Sequence, residues 1–580
     1  MFTSFQTTLH KPFLFFCCLL IAFTVQSQVF PAKNYPQHYF IYPVDARISL
    51  SANFGELRSN HYHMGLDCRT NQVENRPVKA AADGYIARVS IAPFGFGRAI
   101  YINHPNGFTT VYGHLNEFYD DLELYVKEQQ YQQESWRVSL EFPPGLFPVK
   151  QGQFIANSGN TGGSMGPHVH FEIRNTQNDK VLNPLLFNMP IPDNVPPTLV
   201  RLYMYDRCKS TYSQSPQHLP IHKTGSKYTT TAGVITVHTD KVSFGISAND
   251  KQSGSSNPNG IYEAVIYLDG LPLSGFQLDS ISYDETRYLN AHIDYKTRAG
   301  GGPYIQHLSR LPGYPEGAYR DFNGDGVIEL TDDKVHDVRI EVKDPQKNSS
   351  VLSFKIKKGL IRENGRDDSA AYFQSLSFHP GFVNVYENEE IQLMVPPGAL
   401  YDSIAFSHSS KSSTASEAFS QIHTILSGLV PVQEAFTIRL KANKPIADSL
   451  SGKVLMKRTW RGSDELAITT REGDWFVARF RNFGDFQLIV DEEPPVIGGI
   501  ANGANLGKSS RIVFTPKDNS DEIADFRAEL DGKWLRFTND KGRNFIYIFD
   551  EKCPRGNHVL KVMVKDLAGN HSERTINFTR

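Results

Sequence analysis

The sequence predicts an all-β chain, with a glycine-rich antiparallel β domain first and β-sandwich domains of the immunoglobulin-like kind after it. Three observations lead there. Apolar and polar residues alternate at a period of two in short runs, as in Val169, Phe171 and Ile173 against His168, His170 and Glu172, and glycine-containing turns break the runs. A pattern of strand and turn letters occurs twice in the C-terminal two thirds. The length of 580 residues, at about 100 to 200 per domain, calls for three to five domains.

The N-terminus carries Lys11, the apolar run Phe13 to Val25 and then Val25-Gln-Ser27. That is the layout of a secretory signal peptide over residues 1–27, cleaved after Ser27, and its apolar core is too short to span a bilayer. Cys17 and Cys18 lack the preceding small residue that a lipid-attachment box requires. No later segment is apolar enough to span, so no transmembrane segment is expected in the mature chain. After cleavage Cys68, Cys208 and Cys553 remain, an odd and scattered set that implies no disulfide framework. A net charge of -2 gives no basic surface for nucleic acid or an anionic membrane.

Residues 28–192 hold the histidine chemistry. Val78 to Val89, Gly97 to His104 and Gly107 to His114 read as antiparallel strands joined by tight turns, with His104-Pro-Asn-Gly107 as a hairpin turn. In the third, Thr110, Tyr112 and His114 share a face. If His63-Met-Gly-Leu-Asp67 is extended, His63, Gly65 and Asp67 share one face, and the absent side chain at Gly65 leaves room for a cation. Alternation puts Cys68 on the opposite face, as a buried thiol. His168 and His170 face the same way on the strand that follows the glycine-dense turn Ser158 to Gly166. His61 offers a substitute ligand or a supporting role.

The combination closely resembles the lysostaphin/LytM family of zinc metallopeptidases. Its His-x-x-x-Asp, Tyr-x-His-Leu and Gly-Pro-His-x-His-Phe-Glu signatures recur in order at His63 to Asp67, Tyr112 to Leu115 and Gly166 to Glu172. The resemblance implies one Zn2+ per chain held by His63, Asp67 and His170, with His114 and His168 as the catalytic histidines. It also implies peptidoglycan as substrate, cleaved at a peptide bond of the stem or cross-bridge. Zinc lowers the pKa of a bound water from about 15.7 to about 7 and polarises the scissile carbonyl, so no serine or cysteine nucleophile is needed. Tyr119 to Pro148 departs from the family as an insertion with Tyr125, Tyr131 and Trp136, either a surface excursion packed on its own aromatics or a wall beside the cleft.

Beyond Pro184 the chain turns β-rich. Pro196-Pro-Thr-Leu-Val, Ile246 to Asp250, Tyr267 to Gly270 and Val338 to Asp344 correspond to Pro494-Pro-Val-Ile, Phe514 to Asp518, Glu529 to Gly532 and Leu560 to Asp566. Residues 195–358 and 491–580 are therefore expected as two immunoglobulin-like domains. A third β domain is expected at 360–490, with Ser407 to Ser416 as a loop. Asp321 to Asp332 places oxygen ligands where an EF-hand loop has them and so offers a Ca2+ site, although a hairpin explains the same letters.

The expected protein is a secreted, periplasmic or envelope-associated zinc metalloendopeptidase whose β domains hold it at the wall or bind an envelope protein. Two other readings are a non-catalytic regulator of other wall hydrolases and an adhesin-like binding protein. All five site positions are filled, which speaks against the first.

Overall fold

The computed structural model describes residues 29–225, 227–315, 317–360 and 376–580, and the expected signal peptide lies outside them. The chain divides into Met1–Asn34 and Tyr35–Arg580, and every sheet belongs to the second unit. The all-β expectation holds, with one helix of more than two turns among the described residues.

The first sheet is antiparallel, in the order β1 (Leu50–Ala52), β2 (Leu66–Arg69), β11 (His168–Asn175), β6 (Phe108–Gly113), β5 (Arg98–Asn103), β4 (Gly84–Ile91) and β8 (Val138–Glu141). A smaller sheet, β3 (Pro77–Lys79), β10 (Phe154–Ser158) and β7 (Leu115–Phe118), packs with it around Val78, Ile100, Tyr112, Ile155 and Phe171. The strands read at Gly97 to His104 and Gly107 to His114 are present with ends shifted by a residue, while Val78 to Val89, expected as one strand, is divided between β3 in the smaller sheet and β4 in the larger one.

Residues 119–148, expected as an insertion, form helix α1 (Asp120–Gln132) and then β8. Leu122, Val126 and Gln130 are the buried face of α1, and Tyr125 packs on Phe142 and Phe147. Its far end meets the C-terminal region, where Tyr131 makes an edge contact with Trp534 at 5.3 Å and Arg527 pairs with Glu134 at 2.7 Å.

The repeat read from the sequence reappears in strand order. Ser349–Lys358, Val335–Lys343, Glu263–Leu268 and Leu271–Gln277 are neighbours in one sheet; His571–Thr579, Asn557–Asp566, Ile523–Leu530 and Lys533–Trp534 are neighbours in another. In each, a short strand runs parallel to the closing strand, Ile235–Val237 in the first and Ala504–Asn505 in the second. Between them lie five-stranded sheets over 376–490, in which His408–Lys411 pairs with Ile422–Ile425 as an edge strand instead of the expected serine loop. Alternating side chains suit an exposed sheet edge as well as a loop, and period alone does not separate them.

The cores are not confined to sequence blocks. Tyr62 and Met64, which flank His63, and Phe54 are buried in the core of the module beyond residue 195 beside Phe276, Leu278 and Ile281. The Tyr62 ring lies 5.7 Å from that of His292, which is fully buried with no partner at Nδ1 and accepts from Gln306 Nε2 at 2.8 Å. Burial, with the neighbouring His307, pushes the His292 pKa down to about 3, and burial does the same to His307. Both pKa values fall below the unfolded value of about 6.5. The stability they carry is therefore complete above that pH and is lost as pH falls toward 3, by about 1.4 kcal/mol per pH unit for each ring. Thermal unfolding of the chain should shift steeply downward between pH 6.5 and 4.5, and less steeply in His292→Phe; equal slopes would remove His292 from the account.

Candidate active site

β11 carries the site because both of its neighbours approach it in fixed register. His170 lies opposite Asp67 on β2 and opposite Gly113 on β6. His63 reaches the same point from outside the sheet, since the extended strand begins only at Leu66. A tight pair of backbone bonds holds it, His63 N to Glu56 O and Gly55 N to His63 O, each 2.8 Å. A Cβ at Gly65 would stand 2.4 Å from Phe171 O and 2.9 Å from His170 Nε2, so the bare glycine is what lets this segment close on β11.

Three donor atoms converge. His63 Nε2 lies 2.9 Å from Asp67 Oδ1 and 3.1 Å from His170 Nδ1, and His170 Nδ1 lies 3.0 Å from Asp67 Oδ1. The outer nitrogens are occupied elsewhere: His63 Nδ1 donates to Asn53 O at 2.7 Å, and His170 Nε2 donates to Glu172 Oε1 at 3.0 Å. That fixes the tautomers, so two imidazole lone pairs and a carboxylate oxygen face one another, an arrangement that a cation satisfies. Two imidazoles and a carboxylate are a donor set of catalytic zinc sites, and the residues fit that metal. Burial alone raises the Asp67 pKa, but His63, His168 and His170 hold the carboxyl well below the usual range. Without a cation, burial lowers the His170 pKa, yet Asp67 and Glu172 outweigh it and push it up to about 9, so a bound cation would take the place of the Nδ1 proton.

The other two predicted histidines stand beside this group. His114 occupies the left-handed kink between β6 and β7, at φ 62°, and its Nδ1 donates to Thr161 O at 2.8 Å. Burial, then the His168 and His170 rings, pushes its pKa down to about 3, which keeps it neutral. His168 Nδ1 donates to Gly166 O at 2.8 Å, and its Nε2 lies 3.3 Å from Asp67 Oδ1. The two ring centres are 4.8 Å apart. The glycine-dense turn thus supplies the carbonyls that orient both rings, and a cleft lined by Arg58, His61, Asn71, Phe96, Met165 and Tyr283 opens onto them. No residue of 119–148 lines that cleft.

Sequence reasoning missed the supports. Glu172, fully buried, accepts from His170, from Arg174 Nε at 2.6 Å and from the Tyr283 hydroxyl, and Arg174 with His170 overcomes burial to bring its pKa down to about 2. Its strand alternation with His168 and His170 was the available signal; Tyr283, 111 residues further on, had none. Arg58 pairs with Glu56 at 3.1 Å and approaches Asp67 Oδ2 at 3.4 Å. From the C-terminal region, Asp540 Oδ1 accepts from Gly162 N at 2.7 Å, while Lys541 donates from N to Pro93 O at 2.9 Å and from Nζ to Ser164 O at 2.8 Å.

The remaining candidates do other work. His61 bonds Ser59 O and lies at the cleft rim, and His104 sits in its turn bonded to Asp83 O and Thr110 Oγ1. Cys68, Cys208 and Cys553 are free thiols, and burial raises the Cys68 pKa. The Asp321 to Asp332 loop does not support Ca2+. Asp321 is taken by Arg310, Asn323 Nδ2 by Pro272 O, and Asp332 by Lys334 N and His336, while Asp325 caps Val327 N. The segment connects Tyr319–Asp321, which pairs with Leu271–Gln277, to Ile328–Glu329, which pairs with Lys241–Asn249 in another sheet, so it is not the hairpin that the letters also allowed.

An antiparallel sheet that gathers two histidines and an aspartate, with two further histidines across a cleft, defines a metallopeptidase-type domain. The chain matches peptidase family M23 over residues 61–132 and 147–184, so this part is an M23 domain of the LytM/lysostaphin type; residues 377–491 match the Zu5-like domain. An uncharacterized metalloprotease of Haemophilus influenzae is 32% identical over 155 residues, which is 26% of this chain and 27% of that protein. The peptidoglycan DD-endopeptidase ShyA of Vibrio cholerae is 29% identical over 161 residues, 27% of this chain and 31% of its own length. The chain thus spans less than a third of the length of the curated relatives it matches. The solved catalytic domain of lysostaphin from Staphylococcus simulans aligns at 25% identity over 23% of this chain and 88% of its own, with a TM-score of 0.18. No described helix is long and apolar enough to cross a membrane.

Replacing Gly65 by alanine should force the His63 segment away from β11. Gly65→Ala is expected to lose at least about 2 kcal/mol in urea unfolding, as overpacked positions do, and to bind metal poorly. Unchanged stability and metal content would show that the close approach is dispensable.

Proposed function

We propose that the chain is a zinc metalloendopeptidase that hydrolyses peptide bonds of peptidoglycan. The observation that carries this is the convergence of His63 Nε2, His170 Nδ1 and Asp67 Oδ1, with the other nitrogen of each ring tied to Asn53 O or Glu172. His63, Asp67 and His170 would hold the zinc, which supplies Lewis-acid polarisation of the scissile carbonyl and of the attacking water.

His114 and His168 do the proton work. Each ring donates from Nδ1 to a carbonyl of the glycine turn, which leaves Nε2 as an acceptor. From there the pair takes the proton of the attacking water, steadies the developing oxyanion and returns a proton to the leaving amine. Glu172, held in turn by Arg174 and Tyr283, positions His170. The relatives named for peptidoglycan and cell-division roles support a wall substrate and a place in the envelope, the periplasm or outside the cell. The β modules, read as immunoglobulin-like, are the parts that would meet the wall or an envelope protein.

Zinc content and release of soluble fragments from purified peptidoglycan test this directly. The chain should bind one zinc and cleave; His170→Ala should lose the metal; His114→Ala should keep it and lose activity by at least about 100-fold, the scale of acid–base catalysis. A chain that binds zinc yet releases nothing from any wall preparation is not this enzyme.

A further inference from the structure

Two clusters of aspartates stand away from the peptidase cleft, and they are copies of one another. Asp193, Asp250 and Asp344 each bring a carboxylate oxygen within 4.8 Å of the others, and Asp491, Asp518 and Asp566 do the same. Asp250 and Asp344 directly follow the strands Lys241–Asn249 and Val335–Lys343, while Asp193 lies in the segment entering Thr198–Asp206. In the second copy Asp566 ends Asn557–Asp566, and Asp491 directly follows Gly484–Val490 in the segment entering the last module.

The bonding repeats with the positions. Asn348 donates from N and Nδ2 to the two oxygens of Asp344 at 2.8 and 2.7 Å, and Asn570 donates likewise to Asp566 at 2.7 and 2.8 Å. The same amides reach back to the incoming segment, Asn348 Nδ2 to Asp193 O at 3.4 Å and Asn570 Nδ2 to Asp491 O at 3.1 Å. Val195 N caps Asp193 Oδ1 at 3.0 Å as Glu493 N caps Asp491 Oδ1 at 3.1 Å.

Each copy is left with buried oxygens that no donor reaches. Asp250 Oδ1 in the first, and Asp491 Oδ2 and Asp518 Oδ1 in the second, have no hydrogen-bond partner; Asp250 and Asp491 are each 4% exposed. None of the six aspartates forms an ion pair with a described lysine, arginine or histidine. Burial, then the Asp193 and Asp344 charges, pushes the Asp250 pKa up to about 7. Three carboxylates at this spacing repel one another, and a buried oxygen without a partner is costly. A positive ion resolves both. The donors are all oxygen, with no imidazole or thiolate, which suits a hard cation and not zinc.

We propose that each cluster is a calcium site that ties the entering segment to the sheet of its module. The ion would join Asp193 or Asp491, on the segment, to Asp250 and Asp344 or to Asp518 and Asp566, on the module. Two sites on one chain, at corresponding joints, then fix how stiffly each repeat is connected to what precedes it.

The test is equilibrium dialysis of the full chain against labelled calcium at millimolar concentration, with zinc present so that the histidine site does not count. Two calcium ions per chain are expected, along with a higher melting temperature when calcium is added. Asp344→Asn and Asp566→Asn should each lose one ion, and the double variant both. Asp250→Asn, which removes a charge from the crowded cluster, should fold at least as stably as the calcium-free parent and also lose one ion, which separates site loss from misfolding. No bound calcium in the parent chain, a single ion, or two ions retained by the double variant would each overturn the proposal.

Discussion

His170 stands beside Asp67 because β11 pairs with β2 in one register, and a slip of one residue would turn the imidazole to the opposite face. β6 on the other side brings Gly113 against His170, and the chain leaves β6 through the left-handed kink that aims His114. At Gly65 the backbones come too close for a side chain, and at Gly113 the Phe96 and His170 side chains fill the space a Cβ would need. The sheet therefore sets the distance between His170 and Asp67, and the cost is a backbone that tolerates little change beside the reacting groups.

The residues that make the sheet are not the only ones that make the site. His63 is held by Asn53, and Asn53 exchanges two hydrogen bonds with Gly260 in the following module, at 2.8 and 2.9 Å. Tyr62 and Met64 are buried in that module's core. Glu172 takes the hydroxyl of Tyr283 from the same region. Removing everything beyond residue 192 would thus expose Phe54, Tyr62 and Met64 and release the segment that carries His63. The β modules cannot be read as detachable tethers; the nearest one is part of the site's scaffold.

This explains which parts were legible in the sequence. His63, Asp67 and His114 were picked out by the resemblance of their runs, since His63 lies ahead of the strand that begins at Leu66 and His114 sits in the left-handed kink beyond Gly113, off the face of Thr110 and Tyr112. His168 and His170 were readable because the period of their run fixes its direction locally. The strand pattern and the repeat were readable for the same reason. Tyr283, Asp540 and Lys541 were not, because their contacts with Glu172, Gly162 and Ser164 join positions 111, 378 and 377 residues apart and nothing in the local letters announces them. Helix α1 was hidden differently: the third residue of its buried face is Gln130, which breaks the apolar stripe after Leu122 and Val126. The Asp321 to Asp332 letters misled in the other direction, since a turn rich in Asp, Asn and Gly carries the same residues whether or not an ion is bound.

The last module reaches the site through the glycine turn. Asp540 and Lys541 bond Gly162 N and Ser164 O, and the same turn supplies Thr161 O to His114 and Gly166 O to His168. A turn with so few side chains has little packing of its own to set its carbonyls, so their directions depend on what is bonded to its other edge. The short turn Asp540–Gly542 provides that second edge and anchors it through Lys541 N to Pro93 O, beside the loop that carries Phe96. Histidine orientation in the proposed chemistry is therefore set by both ends of the chain: β11 and β6 fix where the rings stand, and the last module helps fix the carbonyls that decide which nitrogen faces the cleft.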